Sequence, residues 1–261
     1  MAEKKEIKEK EQDEKGIKEY NKNNDKDNMG NADIKKRGKF IVICGGDGSG
    51  KATQTELLAK RLKKEGFDAE TISFPQYGQK SAALVEEYLN GRYGTADIVG
   101  PYRASVFYAC DRFAASSNIY EWLCSGKTVL ANRYISANLG HQGGKIRDPK
   151  ERERFWRWIE NLEYNIFGIP KADANIYLHV PAEISQQLVD SKGARAYTLN
   201  KRDIHEADLE HLKNAEEAYL QLVGRRPGEW IKIECTFNEK IMGREDIHAL
   251  IWDKVKKILG R

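Results

Sequence analysis

The run Gly45-Gly46-Asp47-Gly48-Ser49-Gly50-Lys51 limits what this chain can fold into more than any other feature. Before it stands Lys39-Phe40-Ile41-Val42-Ile43-Cys44, a short apolar stretch that reads as a buried parallel strand. After it, Leu57, Leu58, Ala59 and Leu62 recur at helical spacing between Lys51 and Glu65, and Gly66 stops the pattern. A strand, a glycine-rich turn and a helix in that order let backbone N–H groups converge on a phosphate, with the positive end of the helix dipole behind them. Lys51 then reaches the β- and γ-phosphates of a nucleoside triphosphate as a point charge. A Ser or Thr ordinarily follows that lysine and ligates Mg²⁺. Here Ala52 has no oxygen to give, and Thr53 lies one helical step, about 100°, further round. Gly45, Gly46, Asp47, Gly48, Ser49, Gly50, Lys51, Ala52 and Thr53 are therefore the candidate triphosphate-binding residues.

The rest of the chain repeats the alternation. Strands are expected at Ala69–Phe74, Thr128–Ala131, Ala174–Val180 and Trp230–Cys235. Helices are expected at Ser81–Leu89, Tyr102–Leu123, Pro149–Phe167, from Ala182, at His205–Val223 and at Arg244–Leu259. Alternating strands and helices imply βαβ crossovers. The expected fold is thus a three-layer α/β/α P-loop domain with a five-stranded parallel sheet and a small lid. Ligands in such folds bind beyond the carboxyl ends of the strands.

Composition sets the outer limits. Residues 1–38 are nearly all Lys, Glu, Asp and Asn, too poor in apolar surface to offset the entropy of ordering, and are expected to be a disordered charged tail on a domain spanning 39–261. The net charge of +4 is modest, and the body holds no basic run interleaved with aromatics, so nucleic acid is not an expected partner. The 4 cysteines are far apart and form no C-x-x-C pair, which argues against zinc and a disulfide framework and fits a reducing cytoplasm. No apolar run is long enough to span a bilayer.

Four motifs, in order, resemble those of the thymidylate kinase family. They are Asp47-Gly48-Ser49-Gly50-Lys51-Ala52-Thr53-Gln54, Phe74-Pro75-Gln76-Tyr77-Gly78, Phe107-Tyr108-Ala109-Cys110-Asp111-Arg112, and Asn132-Arg133-Tyr134 followed by Asn138 and His141-Gln142-Gly143. The resemblance implies roles for particular residues. Lys51 and the loop amides would hold ATP, and the Asp47 carboxylate would accept from the 3′-OH of dTMP. Phe74 and Tyr77 would line the acceptor pocket, with Gln76 nearest to an Arg that many members carry. Tyr108 would stack on thymine, Arg112 would donate to a thymine carbonyl, and Asn138 would pair with the base edge. The residues also allow a plainer role for Arg112, as the ion-pair partner of Asp111. Arg133 would bridge donor and acceptor phosphates. His141, standing where Tyr is common, would lie close to the sugar. Between Ser191 and Arg202 the polar segment with Lys192, Arg195, Lys201 and Arg202 sits where the family has its lid, with Arg195 the candidate catalytic cation and Asp203 and Glu206 beyond it near the sugar.

The implied reaction is in-line transfer of the ATP γ-phosphoryl to dTMP, giving dTDP and ADP. The resemblance also implies a homodimer, paired through helices such as Tyr102–Leu123. Asn132 replaces an Asp that helps hold Mg²⁺. Together with Ala52 it leaves Thr53 and Asn132 as the candidate metal ligands, fewer than the family provides. Two alternatives stay open at this point: a related kinase for another nucleotide, and a nucleotide-binding module of low turnover.

Overall fold

The computed structural model describes residues 37–190 and 209–261. The expected tail up to residue 36 and the lid segment 191–208 lie outside the described residues.

The strands are β1 (Phe40–Gly45), β2 (Ala69–Ser73), β3 (Thr128–Asn132), β4 (Ala174–His179) and β5 (Trp230–Glu234). They form one parallel sheet in the order β2-β3-β1-β4-β5. β1 is the central strand and every residue of it is buried, as expected for a parallel strand covered on both faces. The edge strands β2 and β5 are more open: Ala69, Trp230 and Ile233 are buried and their other residues are half-buried or exposed. From β1 the chain crosses to β2 on one side of the sheet, and from the neighbouring β4 to β5 on the other. The crevice between these opposite turnings is where an open α/β sheet takes its ligand.

The period-two alternation of β1 splits the interior into two cores. Phe40, Val42 and Cys44 face one core, which is closed by α3 (Ala96–Cys124), α5 (Pro149–Glu160) and α7 (Leu209–Arg225) through Ile119, Trp156 and Tyr219. Ile41 and Ile43 face the other, closed by α1 (Lys51–Lys64) and α8 (Arg244–Ile258) through Leu58, Leu62 and Ile251. Trp156 is 1% exposed and its Nε1 donates to Leu139 O at 2.8 Å; truncation there to Ala would cost about 3–5 kcal/mol. The three-layer architecture and the five parallel strands match the expectation from sequence.

Several elements differ in detail. Leu57 is only half-buried, because the inward face of α1 runs through Gln54, Thr55, Leu58 and Leu62. The expected Ser81–Leu89 helix begins as a 3₁₀ turn at Lys80–Ala82 and continues as α2 (Ala83–Leu89). Helix α3 begins at Ala96, ahead of the expected Tyr102: Thr95 caps it, its Oγ1 accepting from Ile98 N at 3.3 Å, and the chain bends at Gly100 (φ 74°) instead of starting at Pro101. The stretch expected as one helix from Pro149 to Phe167 is α5 followed by a π-helical turn at Asn161–Ile166. Among the described residues, α7 begins at Leu209 and runs to Arg225. Three short features have no counterpart among the elements expected from sequence. One is α4 (Ile135–Ala137) and another its π-helical continuation Asn138–Gln142. The third is the hairpin of β6 (Thr236–Phe237) and β7 (Lys240–Ile241). The remaining helix, α6 (Ala182–Asp190), follows β4 as expected.

Candidate active site

The glycine turn leaves β1 and wraps back over the start of α1. Gly48 has φ 83°, and a Cβ there would lie 2.7 Å from Ser185 O on α6. Only glycine accepts both that backbone and that approach. Ser185 Oγ donates to Asp47 O, tying α6 to the loop a second time. Within the loop, Ser49 Oγ and Lys51 Nζ both donate to Gly46 O, at 2.8 and 2.6 Å. The Lys51 ammonium is thus folded over the turn, its side chain largely buried.

In front of the turn opens a cleft of about 390 Å³. Asp47, Gly48, Gly50, Lys51, Ala52 and Thr53 form its wall on the loop side. The segment after β2 contributes Phe74 and Tyr77, and α3 contributes Tyr108 and Arg112 one helical turn apart. The end of β3 supplies Asn132 and Arg133, and the π turn supplies Asn138 and His141. Gly45, Gly46 and Ser49 build the turn without lining the cleft. Arg195 and Glu206, with Lys192, Lys201, Arg202 and Asp203, lie outside the described residues. Every other expected site residue therefore borders one cleft or the turn behind it, at the carboxyl ends of β1, β2 and β3.

Arg133 is the pivot. Its backbone N donates to Ile43 O at 2.9 Å and its φ is 66°, a left-handed conformation that costs a non-glycine residue about 1–2 kcal/mol. That conformation turns the guanidinium toward the glycine turn. There Nη2 pairs with the Asp47 carboxylate, and Nη1 lies 3.1 Å from His141 Nε2. A guanidinium can only donate, so His141 Nε2 accepts and the ring proton sits on Nδ1. Burial pushes the His141 pKa well down, and the Arg133 charge pushes it further, so the imidazole is neutral. The His141 ring also stacks on His211 of α7, centroids 5.7 Å apart.

Two expectations need correction. Arg112 is not the partner of Asp111. It is 1% exposed and makes a two-point ion pair with Glu163, Nε to Oε2 at 2.5 Å and Nη2 to Oε1 at 2.7 Å. Asp111 instead accepts from Gln76 N at 2.9 Å and from Gln76 Nε2 at 3.1 Å, and Ser81 Oγ donates to it at 2.6 Å. That is the second correction: Gln76 is turned back onto α3 and does not line the cleft, so it does not stand in for the family's arginine. Sequence reasoning missed Glu163 altogether, although a Glu among aromatics and a buried Arg elsewhere needing a partner were both visible. It also missed Ser73, Leu89 and Ala137, which border the cleft without a chemical signal of their own, and gave Gln142 of the fourth motif no role.

A family model for thymidylate kinase matches residues 43–245. The chain belongs to the thymidylate kinase family. It is 29% identical over 198 residues to the thymidylate kinase of Mycobacterium tuberculosis strain H37Rv, covering 74% of this chain and 90% of the relative. Against the thymidylate kinase of Plasmodium falciparum the figures are 28% over 226 residues, 87% and 93%. The solved thymidylate kinase of Candida albicans shares the fold, with a TM-score of 0.63 at 20% identity over 85% of this chain and 92% of that one. Membership makes the protein an ATP-dependent nucleoside monophosphate kinase.

Kinases take ATP as its magnesium complex, and the cleft can be tested for that fit. Among the described residues no cluster of three or more His, Cys, Asp or Glu is placed to hold a metal. What the cleft offers is Asn132 Oδ1, buried with no hydrogen-bond partner among the described residues, and Thr53, which borders the same cleft. Two neutral oxygens fit Mg²⁺ that is carried mainly by phosphate oxygens and water. The 4 cysteines are all free thiols, and burial pushes those of Cys44 and Cys235 up to about 12, away from nucleophilic use. No helix of the described residues is long and apolar enough to cross a membrane.

Proposed function

We propose that the chain transfers the γ-phosphoryl of ATP to the 5′-phosphate of dTMP, with the triphosphate on the glycine turn and the acceptor in the cleft. One observation carries this reading: Arg133 is held beside the glycine turn by Asp47, while Tyr108 and Arg112 line the same cleft from α3. Phosphoryl transfer of this kind needs positioning and charge stabilisation, with little covalent chemistry from the protein. The loop amides and Lys51 take the β- and γ-oxygens, Lys51 exchanging its bond to Gly46 O for phosphate. Arg133 sits where a guanidinium meets both the transferring group and the acceptor phosphate, held meanwhile by Asp47 and His141. The half-buried Tyr108 offers a ring face to the base, and Arg112 a donor to its carbonyl edge. Phe74, 4% exposed, closes the apolar side. Asn132 Oδ1 and Thr53 would help hold Mg²⁺, which would supply neutralisation of the phosphate charge.

Arg195 and Glu206 complete the proposal as lid cation and sugar contact. Self-association through α3 is favoured by Ile98, Tyr102 and Phe113, which are 67%, 43% and 52% exposed. A reducing cytoplasm suits the free thiols. The rival of low turnover draws on Ala52, which leaves the loop without its usual hydroxyl.

Coupled ADP release with dTMP, dUMP, dGMP, UMP and thymidine as acceptors, against Lys51→Met as control, tests the reading. Turnover is expected with dTMP foremost and is expected to vanish in Lys51→Met. Preference for another acceptor by about tenfold, or equal near-zero rates in both proteins, would refute it.

A further inference from the structure

Glu163 lies on the π-helical turn after α5, is 0% exposed, and carries a charge that no catalytic role described above uses. A carboxylate with no access to water is costly unless its neighbours repay it. Here the repayment comes from two residues of the cleft wall. Arg112 gives Glu163 the hydrogens of Nε and Nη2. Asn138, 2% exposed, donates from Nδ2 to Glu163 Oε1 at 3.4 Å and to Ser105 O at 3.2 Å.

These contacts fix what the cleft wall can present. Both partners of Asn138 Nδ2 are acceptors, a carbonyl and a carboxylate, so the amide has one orientation and its Oδ1 is left over. On Arg112, Nε and Nη2 are spent, and Nη1 has no hydrogen-bond partner among the described residues. The edge offered to a ligand is therefore a donor, Arg112 Nη1, beside an acceptor, Asn138 Oδ1. Thymine presents the complement, the O4 acceptor beside the N3–H donor. Cytosine presents the reverse, an amino donor beside a bare N3.

The geometry points to Glu163 as the residue that sets base specificity, by locking Asn138 and Arg112 into the order that accepts a 4-oxo pyrimidine and rejects a 4-amino one. It is a positioning residue that touches no substrate. The inference rests on the cleft being the acceptor nucleotide's pocket. With Glu163 replaced by its neutral amide, the former carboxylate can present a donor to Asn138. Asn138 is then free to turn over, and Arg112 gains freedom to meet either base.

The test compares dTMP with 5-methyl-dCMP, which differs from it only at the 4-position and N3, by calorimetric binding to the full chain. Wild type is expected to favour dTMP by about 100-fold, and Glu163→Gln to reduce that ratio by about tenfold or more. The dTMP KM should rise by a similar factor in that variant, while the ATP KM moves by less than about twofold. Glu163→Asp keeps the charge and is expected to keep most of the ratio, which separates the carboxylate's role from mere packing. Should Glu163→Gln not fold, the wild-type ratio and Glu163→Asp still decide the matter. Equal binding of the two nucleotides by wild type overturns the inference, as does a folded Glu163→Gln with the wild-type ratio or a Glu163→Asp that loses the ratio outright. Failure of wild type to bind dTMP at all would instead overturn the functional reading beneath it.

Discussion

His141 ties the chemistry of the cleft to the stability of the fold, and the size of that tie comes from the proton it lacks. In the native chain the ring is buried beside Arg133, and its pKa lies well below the ordinary value near 6.5. The unfolded chain has no such restraint and binds a proton below about pH 6.5. Wherever the unfolded state holds more protons, stability falls as the pH falls. While His141 stays neutral, each pH unit below 6.5 removes up to about 1.4 kcal/mol, so going from pH 7.5 to pH 5 costs about 2 kcal/mol from this residue alone. His248, whose pKa is lowered by burial, adds to the same slope. His179, raised chiefly by its bond to Glu216, works the other way, its contribution being present at low pH and lost as pH rises through its native value. Comparison with His141→Gln cancels both, since Gln can still accept from Arg133 but cannot titrate. Urea unfolding of the two proteins at pH 7.5 and pH 5 is the assay. Wild type should lose about 2 kcal/mol more than the variant over that interval. Losses equal to within about 0.5 kcal/mol would show that His141 takes its proton in the folded state, and the neutral acceptor assigned to Arg133 would be wrong. Stability is the better readout than rate here, because the acceptor phosphate itself titrates near pH 6.

Gly48→Ala should destabilise the chain by about 2 kcal/mol or more and raise the ATP KM, since the new Cβ meets Ser185 O in a left-handed backbone; an unchanged urea midpoint would refute the close packing of the loop on α6. Asn132→Asp should lower the Mg²⁺ concentration giving half-maximal rate by several-fold, because a carboxylate replaces a neutral oxygen facing the phosphates. A magnesium titration identical to that of wild type would show that Oδ1 of this residue does not face the ion.

The parts of the site that the sequence shows are those set by local chemistry. Gly48 and Lys51 declare themselves because strand, turn and helix are contiguous. Arg133 is readable through the motif Asn132-Arg133-Tyr134 that the family resemblance picks out directly after the third strand. The parts that escaped are joined only through space. Glu163 is 51 residues from the Arg112 it neutralises, and no periodicity marks such a pair. Asp111 looked like the natural partner of Arg112 because adjacent opposite charges invite pairing. Successive residues on a helix point about 100° apart, however, so Asp111 faces Gln76 and Ser81 instead. The unbroken apolar run of β1 marked a buried parallel strand, and a core formed on each of its faces, whereas the hairpin Thr236–Ile241 is too short to leave a pattern.

Both π turns, Asn138–Gln142 and Asn161–Ile166, bring polar groups to the same place: Asn138 and His141 from the first, Glu163 from the second. A π turn holds one residue more than the α-helix around it requires. The extra residue rotates the residues downstream of it by about 100° relative to a regular helix. Removing a single residue from the second should give back a regular helix, with Glu163 swung away from Arg112 and Asn138 and the phosphate loop untouched. Acceptor recognition in this protein would then be separable from nucleotide binding by one codon.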